Sequence, residues 1–461
     1  MERSSLSYIG LLLLLAFGLQ AQDSVSLPVD TFLNIVERHH PMAVKARLIK
    51  DRARAQRLKA SGSFDPKLFS DVDQKRFKKT DYYTLQNSGL EVPGWFGLKA
   101  KAGYELNDGV FLNNQATVPG SGLWYGDISW TLGKGLFLDE RRAALKQARI
   151  LEDAAEFEID LALNQLFLEA LQSYWDWYAA YQELKVYEEA LDQAQFRFRS
   201  VKQAAIIGDE PFIDTLESAI QVQDREVKLQ TARANYIFQS NVLNSFLWMD
   251  GQIPMQLQGA VRPAYDYSPL LNILPADWFE RHPALNAYQL KIERLDIERR
   301  LNQELLKPEL TVNYKFLNAP TQNDFFAEYS PDNYSWGLKA SFPLFVRKGR
   351  GEVMKSKVKI QESELDLELK RIQIQNKVQA YEAELVLMTQ QLQSVNQMVA
   401  NYNRLLEAEN IKFRNGESSL FLVNSRELKY IDSRLKQIKT EAKLQLVEAK
   451  LKAEAGILFE D

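Results

Sequence analysis

The feature that most constrains this chain is a run of 66 positions, 350 to 415, with no proline and no glycine after Gly351. Within it apolar residues recur at alternating spacings of three and four: Val378, Tyr381, Leu385, Met388, Leu392, Val395, Val399, Tyr402 and Leu406. That alternation is a heptad seam, which holds one stripe of a helix against a partner over many turns. At about 1.5 Å per residue such a helix is roughly 100 Å long, far beyond an ordinary globular helix. It stops at Asn415-Gly416-Glu417-Ser418-Ser419, and a second helical pattern occupies 417 to 458. Glycine takes the left-handed conformation that ends a helix, and Ser and Glu suit the first turn of the next one. The pattern predicts a very long helical hairpin with a tight tip at Gly416.

The same object occurs 208 positions earlier, where the seam becomes Ala170, Ser173, Trp177, Ala180, Leu184, Tyr187, Leu191, Ala194 and Phe198. Gly416 maps to Gly208, which Asp209-Glu210-Pro211 follows as a helix start. Leu344-Phe345 maps to Leu136-Phe137, and Arg350 to Arg142. Further upstream the offset is 242, so that Pro283 maps to Pro41 and Pro308 to Pro66. The first repeat therefore carries 34 extra residues between Pro66 and Arg142. A repeat of this size is a duplicated domain. The first spans 22–249, with a helix over 30–60 broken near His39-His40-Pro41, strands within 66–135 and a hairpin over 142–249. A Gly- and Pro-rich connector covers 250–278. The second repeat spans 279–461, with a helix over 280–306, strands within 308–343 and a hairpin over 350–458.

Composition narrows the function. A net charge of -4 leaves no electrostatic footprint for nucleic acid. With no cysteine, disulfides and thiol chemistry are excluded. Charged residues at 26% and a mean hydropathy of -0.33 exclude a helical integral membrane protein. Residues 1–21 read as a signal peptide: Arg3, an apolar core from Leu6 to Leu19, and a cleavage site at Leu19-Gln20-Ala21. His39, His40 and His282 do not make a metal site, since adjacent helical residues point apart and a site needs more convergent ligands. The two adjacent histidines read as solvated helix-start residues. No nucleophile elbow, phosphate loop or metal cluster is visible, so no enzyme activity and no cofactor are expected.

Four stretches alternate apolar and polar residues. They run over 98–106, 124–132, 310–316 and 334–342, with aromatics near the row ends. Each has about the length that a tilted strand needs to cross a bilayer, and outer-membrane barrels carry such aromatic girdles. A soluble sheet with one wet face gives the same alternation. The chain leaves a helix near residue 62 and returns to one at 142, so it crosses an even number of times. Residues 66–77 and 123–132 make one pair. The extra residues hold Tyr82 to Val92, a Pro93-Gly94 turn and the alternation at 98–106. They add either a hairpin beyond the membrane or two more crossings.

Taken in order, the leader, the two repeats and the glycine-tipped hairpins resemble the TolC-like outer-membrane efflux family. So do Gly133-Lys134-Gly135-Leu136-Phe137 and Phe342-Pro343-Leu344-Phe345, each followed by an Arg and a long helix. The resemblance covers nearly all of 22–458 and implies a mainly α protein with a membrane β-barrel. It implies a homotrimer whose hairpins build an α-barrel tunnel across the periplasm, with a shared barrel of 12 strands by the family pattern of two crossings per repeat. It also implies a passive outer-membrane duct, set in lipid, that serves a periplasmic adaptor and an inner-membrane pump. Gly208 and Gly416 would then be the docking tips. In the family, acidic residues six and nine places after the second tip glycine narrow the closed end. Here those places hold Leu422 and Ser425, so with Phe413 they suggest an apolar gate. The first hairpin carries an alternative acidic collar in Glu210, Asp214 and Glu217. The competing function is a soluble periplasmic coiled-coil scaffold or adaptor.

Overall fold

The computed structural model describes residues 26–208, 210–259, 261–264, 274–320 and 330–459. The expected signal peptide at 1–21 lies outside them, as does the connector segment 265–273. In chain order the first half runs β1 (Ser26–Leu27), α1 (Val29–His39), α2 (Pro41–Ser61), β2 (Lys67–Phe77), β3 (Thr80–Pro93), β4 (Leu98–Asp108), β5 (Leu123–Gly133), α3 (Glu140–Ile207) and α4 (Phe212–Asn244). Short strands β6 (Trp248–Met249), β7 (Ile253–Pro254) and β8 (Arg262–Pro263) follow. The second half is α5 (Pro283–Glu304), β9 (Glu309–Asn318), β10 (Tyr334–Ser341), α6 (Arg347–Arg414) and α7 (Leu420–Glu454). Helices α3 and α6 each have 68 residues.

The chain divides into two compact units. One, Arg47–Ile159 with Pro283–Gln373, carries the large sheet. The other consists of the described parts of Met1–Ala46, Asp160–His282 and Ile374–Asp461, and carries both hairpin tips.

The sheet has six strands in the order β10-β9-β5-β4-β3-β2, every neighbouring pair antiparallel. The first repeat thus gives four strands to the sheet and the second two, where the expectation was two crossings per repeat. The parity argument holds, because the first repeat has four strands, but the extra residues form β3 and β4 inside the same sheet. The reason is local. Lys78 and Lys79, both at positive φ, turn β2 into β3 as a two-residue hairpin. The turn after Pro93 closes with Gly94 N–H donating to Leu98 O at 2.9 Å. The edges of the sheet, β2 and β10, have no strand beyond them among the described residues.

In the tip unit the expected seams are buried. Val378, Leu392 and Val395 of α6 are buried, while the rest of its heptad stripe is half-buried and its polar neighbours face outward. In α3 the equivalent residues Ala170, Ser173, Trp177, Ala180, Leu184 and Ala194 are buried. The aromatic run in α3 anchors the connector. The hydroxyl of Tyr174, itself fully buried, donates towards Leu27 O (2.7 Å) and Ala264 O (2.9 Å). Those two residues flank the parallel β1–β8 pair. Among the described residues no helix is long and apolar enough to cross a membrane.

One local expectation fails. His40 is not solvated: its ring stacks on Phe246 (centroids 5.6 Å apart) and meets Trp248 edge-on. Its Nδ1 accepts the N–H of Met42, so it caps the start of α2. Burial holds its pKa below the usual imidazole range.

Candidate functional site: two tips, a buried charge clamp and a two-faced sheet

Both tip glycines sit where the chain reverses, with φ of 87° at Gly208 and 73° at Gly416. An added Cβ would meet nothing within 4 Å at either, so the requirement is conformational and not one of space. At the second tip Gly416 N–H donates to Phe413 O (3.0 Å) and Glu417 N–H to Lys412 O (2.9 Å), the paired bonds of a Schellman cap. Glu409 fastens this tip further. It accepts from Ser418 Oγ at 2.5 Å and pairs with Arg426 at 3.5 Å. These partners hold its carboxyl below the usual carboxylate range, the Ser418 bond contributing most.

About two turns behind the tips lies a buried cluster that the sequence did not reveal. Arg197 of α3 donates to both carboxylate oxygens of Glu427 in α7, at 2.9 and 3.2 Å, and to Asn424 Oδ1 at 2.9 Å. Asn424 in turn donates to Glu217 of α4 at 2.9 Å. Arg225 of α4 is fully buried, bonded to Asp224 at 2.6 Å and 3.8 Å from Glu427. The cluster therefore joins three helices, and Glu427 faces two guanidinium groups, that of Arg225 fully buried and that of Arg197 largely so. Its only trace in the sequence is that Asn424 and Glu427 stand between Leu420 and Ile431 at seam spacing, where apolar residues belong. Immediately behind it α3 and α7 pack through Val186, Ala190, Ile431 and Ile438.

The expected gate and collar residues are distributed around these features. Leu422 is 38% exposed, while Ser425 and Phe413 are half-buried. Of the acidic collar set, Glu217 is tied into the clamp through Asn424, and Asp214 occupies the first turn of α4, where a carboxylate suits the helix dipole. Glu210 precedes that helix and is not free of partners. Among the described residues no group of three or more His, Asp or Glu side chains converges to hold a metal ion.

In the other unit the sheet separates its chemistry by face. Register carries one row straight across all six strands: Lys67, Glu91, Lys101, Asp127, Lys315 and Ser335. This face is knit by Lys101–Glu91 (2.7 Å), Lys99–Glu91 (3.1 Å) and Lys315–Glu105 (2.5 Å), with Tyr125 donating to Asn87 at 2.9 Å. The next row lies on the opposite face: Leu68, Leu90, Ala102, Gly126, Phe316 and Tyr334. Ile128, Trp130, Tyr314, Trp336 and Leu338 share that face and are exposed. A broad apolar face left open on a folded chain marks a surface meant for lipid or another protein. The Phe316 ring lies across Gly126, whose added Cβ would fall 2.1 Å from it, so the glycine makes room for an aromatic on this face.

The junction from sheet to helix is also specified. Arg142 is buried and donates to the carbonyls of Leu136 (3.0 Å) and Gly135, while Asp139 caps its backbone N–H at 2.8 Å. The Gly135 N–H donates to Glu304 at 3.1 Å. Its repeat counterpart, Arg350, is exposed.

The sequence model of the outer membrane efflux protein family matches residues 274–456. Among curated proteins no sequence relative matches the chain. Solved structures share the fold across nearly its whole length. The Campylobacter jejuni CmeC outer membrane channel matches with a TM-score of 0.68 at 12% identity, covering 94% of this chain and 87% of its own. The Vibrio cholerae outer membrane protein VceC matches with a TM-score of 0.68 at 13% identity, covering 93% and 96%. The open-state Neisseria gonorrhoeae MtrE outer membrane channel matches with a TM-score of 0.68 at 12% identity, covering 96% and 94%. The chain thus has the fold of outer-membrane efflux channels, and its second half carries their family sequence pattern.

Proposed function

We propose that the protein is the outer-membrane duct of a tripartite export system. Three copies would lend strands to one lipid-embedded barrel and helical hairpins to a periplasmic tunnel. The duct is passive, catalyses no reaction and binds no nucleic acid. A periplasmic adaptor docks on the tips at Gly208 and Gly416, and an inner-membrane pump supplies the energy. The observation that carries this reading is the two-faced sheet. An apolar outer row and a charged inner row suit lipid on one side and water on the other. One chain cannot close the sheet, and open edges are not tolerated in lipid. Fractionation tests it: the protein should pellet with the outer membrane, need detergent for release and cross-link as a trimer. Recovery in the soluble periplasm would favour the scaffold reading instead.

The gate follows from the same reading. Leu422 from three copies narrows the closed end without charge, because an apolar constriction blocks ions by dewetting. In planar bilayers Leu422→Ser should raise the closed-state conductance, whereas Asp214→Asn should change it little. Strong block by divalent cations that Asp214→Asn removes would place the gate in the first hairpin instead.

A further inference from the structure

We propose that the shared barrel has eighteen strands, closed where β10 of one copy pairs with β2 of the next in a register that sets Lys339 opposite Asp71. The proposal rests on the trimeric duct reading and adds to it the strand count, the edges used and their alignment. Three observations support it.

The first is direction. β2 leaves the end of the sheet that α2 feeds, and β10 returns to the end from which α6 departs, so the two free edges run antiparallel. A β10–β2 junction therefore continues the alternation of every other pair in the sheet. The second is stagger. The row from Lys67 to Ser335 starts at the first residue of β2 and ends at the second of β10, six residues short of Ser341 at that strand's far end. A slip of six residues over five strand spacings gives a tilt of about 40°, within the range barrels require. The climb is made between β2 and β5, while the helix-side ends of β5, β9 and β10 stand level at Gly133, Glu309 and Ser341; β2 and β3 thus share in the stagger of the wall.

The third is face matching. Carried over the sixth spacing, the slip is about seven residues, and keeping both faces continuous demands an even number. A slip of eight sets Lys339 of one copy opposite Asp71 of the next, Gly337 opposite Asp73, and Ala340 opposite Ser70. A slip of six sets Lys339 opposite Phe69, Gly337 opposite Asp71 and Ser335 opposite Asp73, with no opposite-charge pair across the junction. Charge complementarity across a strand pair selects the first. At this tilt eighteen strands give a backbone diameter of about 36 Å, against about 24 Å for twelve.

The natural chain has no cysteine, so introduced thiols report without background. Ser70→Cys with Ala340→Cys, both small exposed positions on the apolar face, should yield a reducible covalent trimer in isolated outer membranes. End-on electron microscopy of that trimer should show the wide ring. If Ala100→Cys with Ala340→Cys links copies and the ring is narrow, β4 is the edge and the proposal is overturned, with the duct reading intact. A wide ring with no link at 70–340 would overturn the register. A chain that is monomeric and soluble would overturn the duct reading itself.

Discussion

Helices α3 and α6 have the same length and the same seam, yet they are buried differently. At two seam positions they agree: Ala170 and Val378, and Leu184 and Leu392, each pair one offset apart, are buried. Away from the seam they diverge. Phe167, Leu171 and Tyr174 are buried in α3, whereas their counterparts Gln375, Gln379 and Glu382 in α6 are exposed. Tyr178 of α3 is buried, whereas its counterpart Val386 is 58% exposed. Helix α3 is therefore a core element with apolar residues on more than one side. Helix α6 buries one stripe within its own chain and leaves Val386, Leu387 and Ile411 open. Two helices of equal length thus differ off the seam: α3 is covered on more than one side, and α6 leaves apolar residues open.

The largest effect should come from breaking this asymmetry at its centre. Trp177→Ala removes a fully buried indole and should cost about 3–5 kcal/mol. Its counterpart Leu385 is only half-buried, so Leu385→Ala should cost clearly less. Paired thermal or denaturant unfolding of the detergent-solubilised protein measures both, and equal losses would erase the distinction. Glu427→Gln should come next. It withdraws the carboxylate from the guanidinium groups of Arg197 and Arg225 and should cost about 1.5–3 kcal/mol, seen as faster hydrogen exchange where α7 meets α3 and α4.

The two tips test the comparison from the other side, because there the repeats agree. Gly208→Val and Gly416→Val should each cost about 1–3 kcal/mol locally, since both force a β-branched residue to positive φ. Each should weaken cross-linking to the adaptor while trimer assembly persists. The smallest effect should distinguish the tips by pH. The Glu409 carboxyl is held below its ordinary range, so its contribution is present above the unfolded pKa and lost as pH falls through the folded one. Its counterpart in the first hairpin is Val201, which carries no charge. Acid should therefore speed amide exchange at 415–420 and leave 205–208 unchanged, and parallel acceleration at both would contradict the assignment.

Periodicity and turn chemistry, which need only local spacing, made the repeats, both long helices, the glycine tips and the alternating strands legible in the sequence. Seam residues such as Val378 and Trp177 are buried because a 3-4 spacing leaves a helix one face to hide. Three things were decided only in three dimensions. The extra residues entered the sheet because β3 and β4 register with β2 and β5 over their lengths, which alternation alone cannot distinguish from a hairpin outside it. His40 is half-buried because Phe246, 206 positions away, supplies the ring it stacks on. The clamp exists because Arg197, Arg225 and Glu427, on three helices, reach one point. A charge at seam spacing looks like a flaw until the opposite charges that neutralise it are brought alongside by packing.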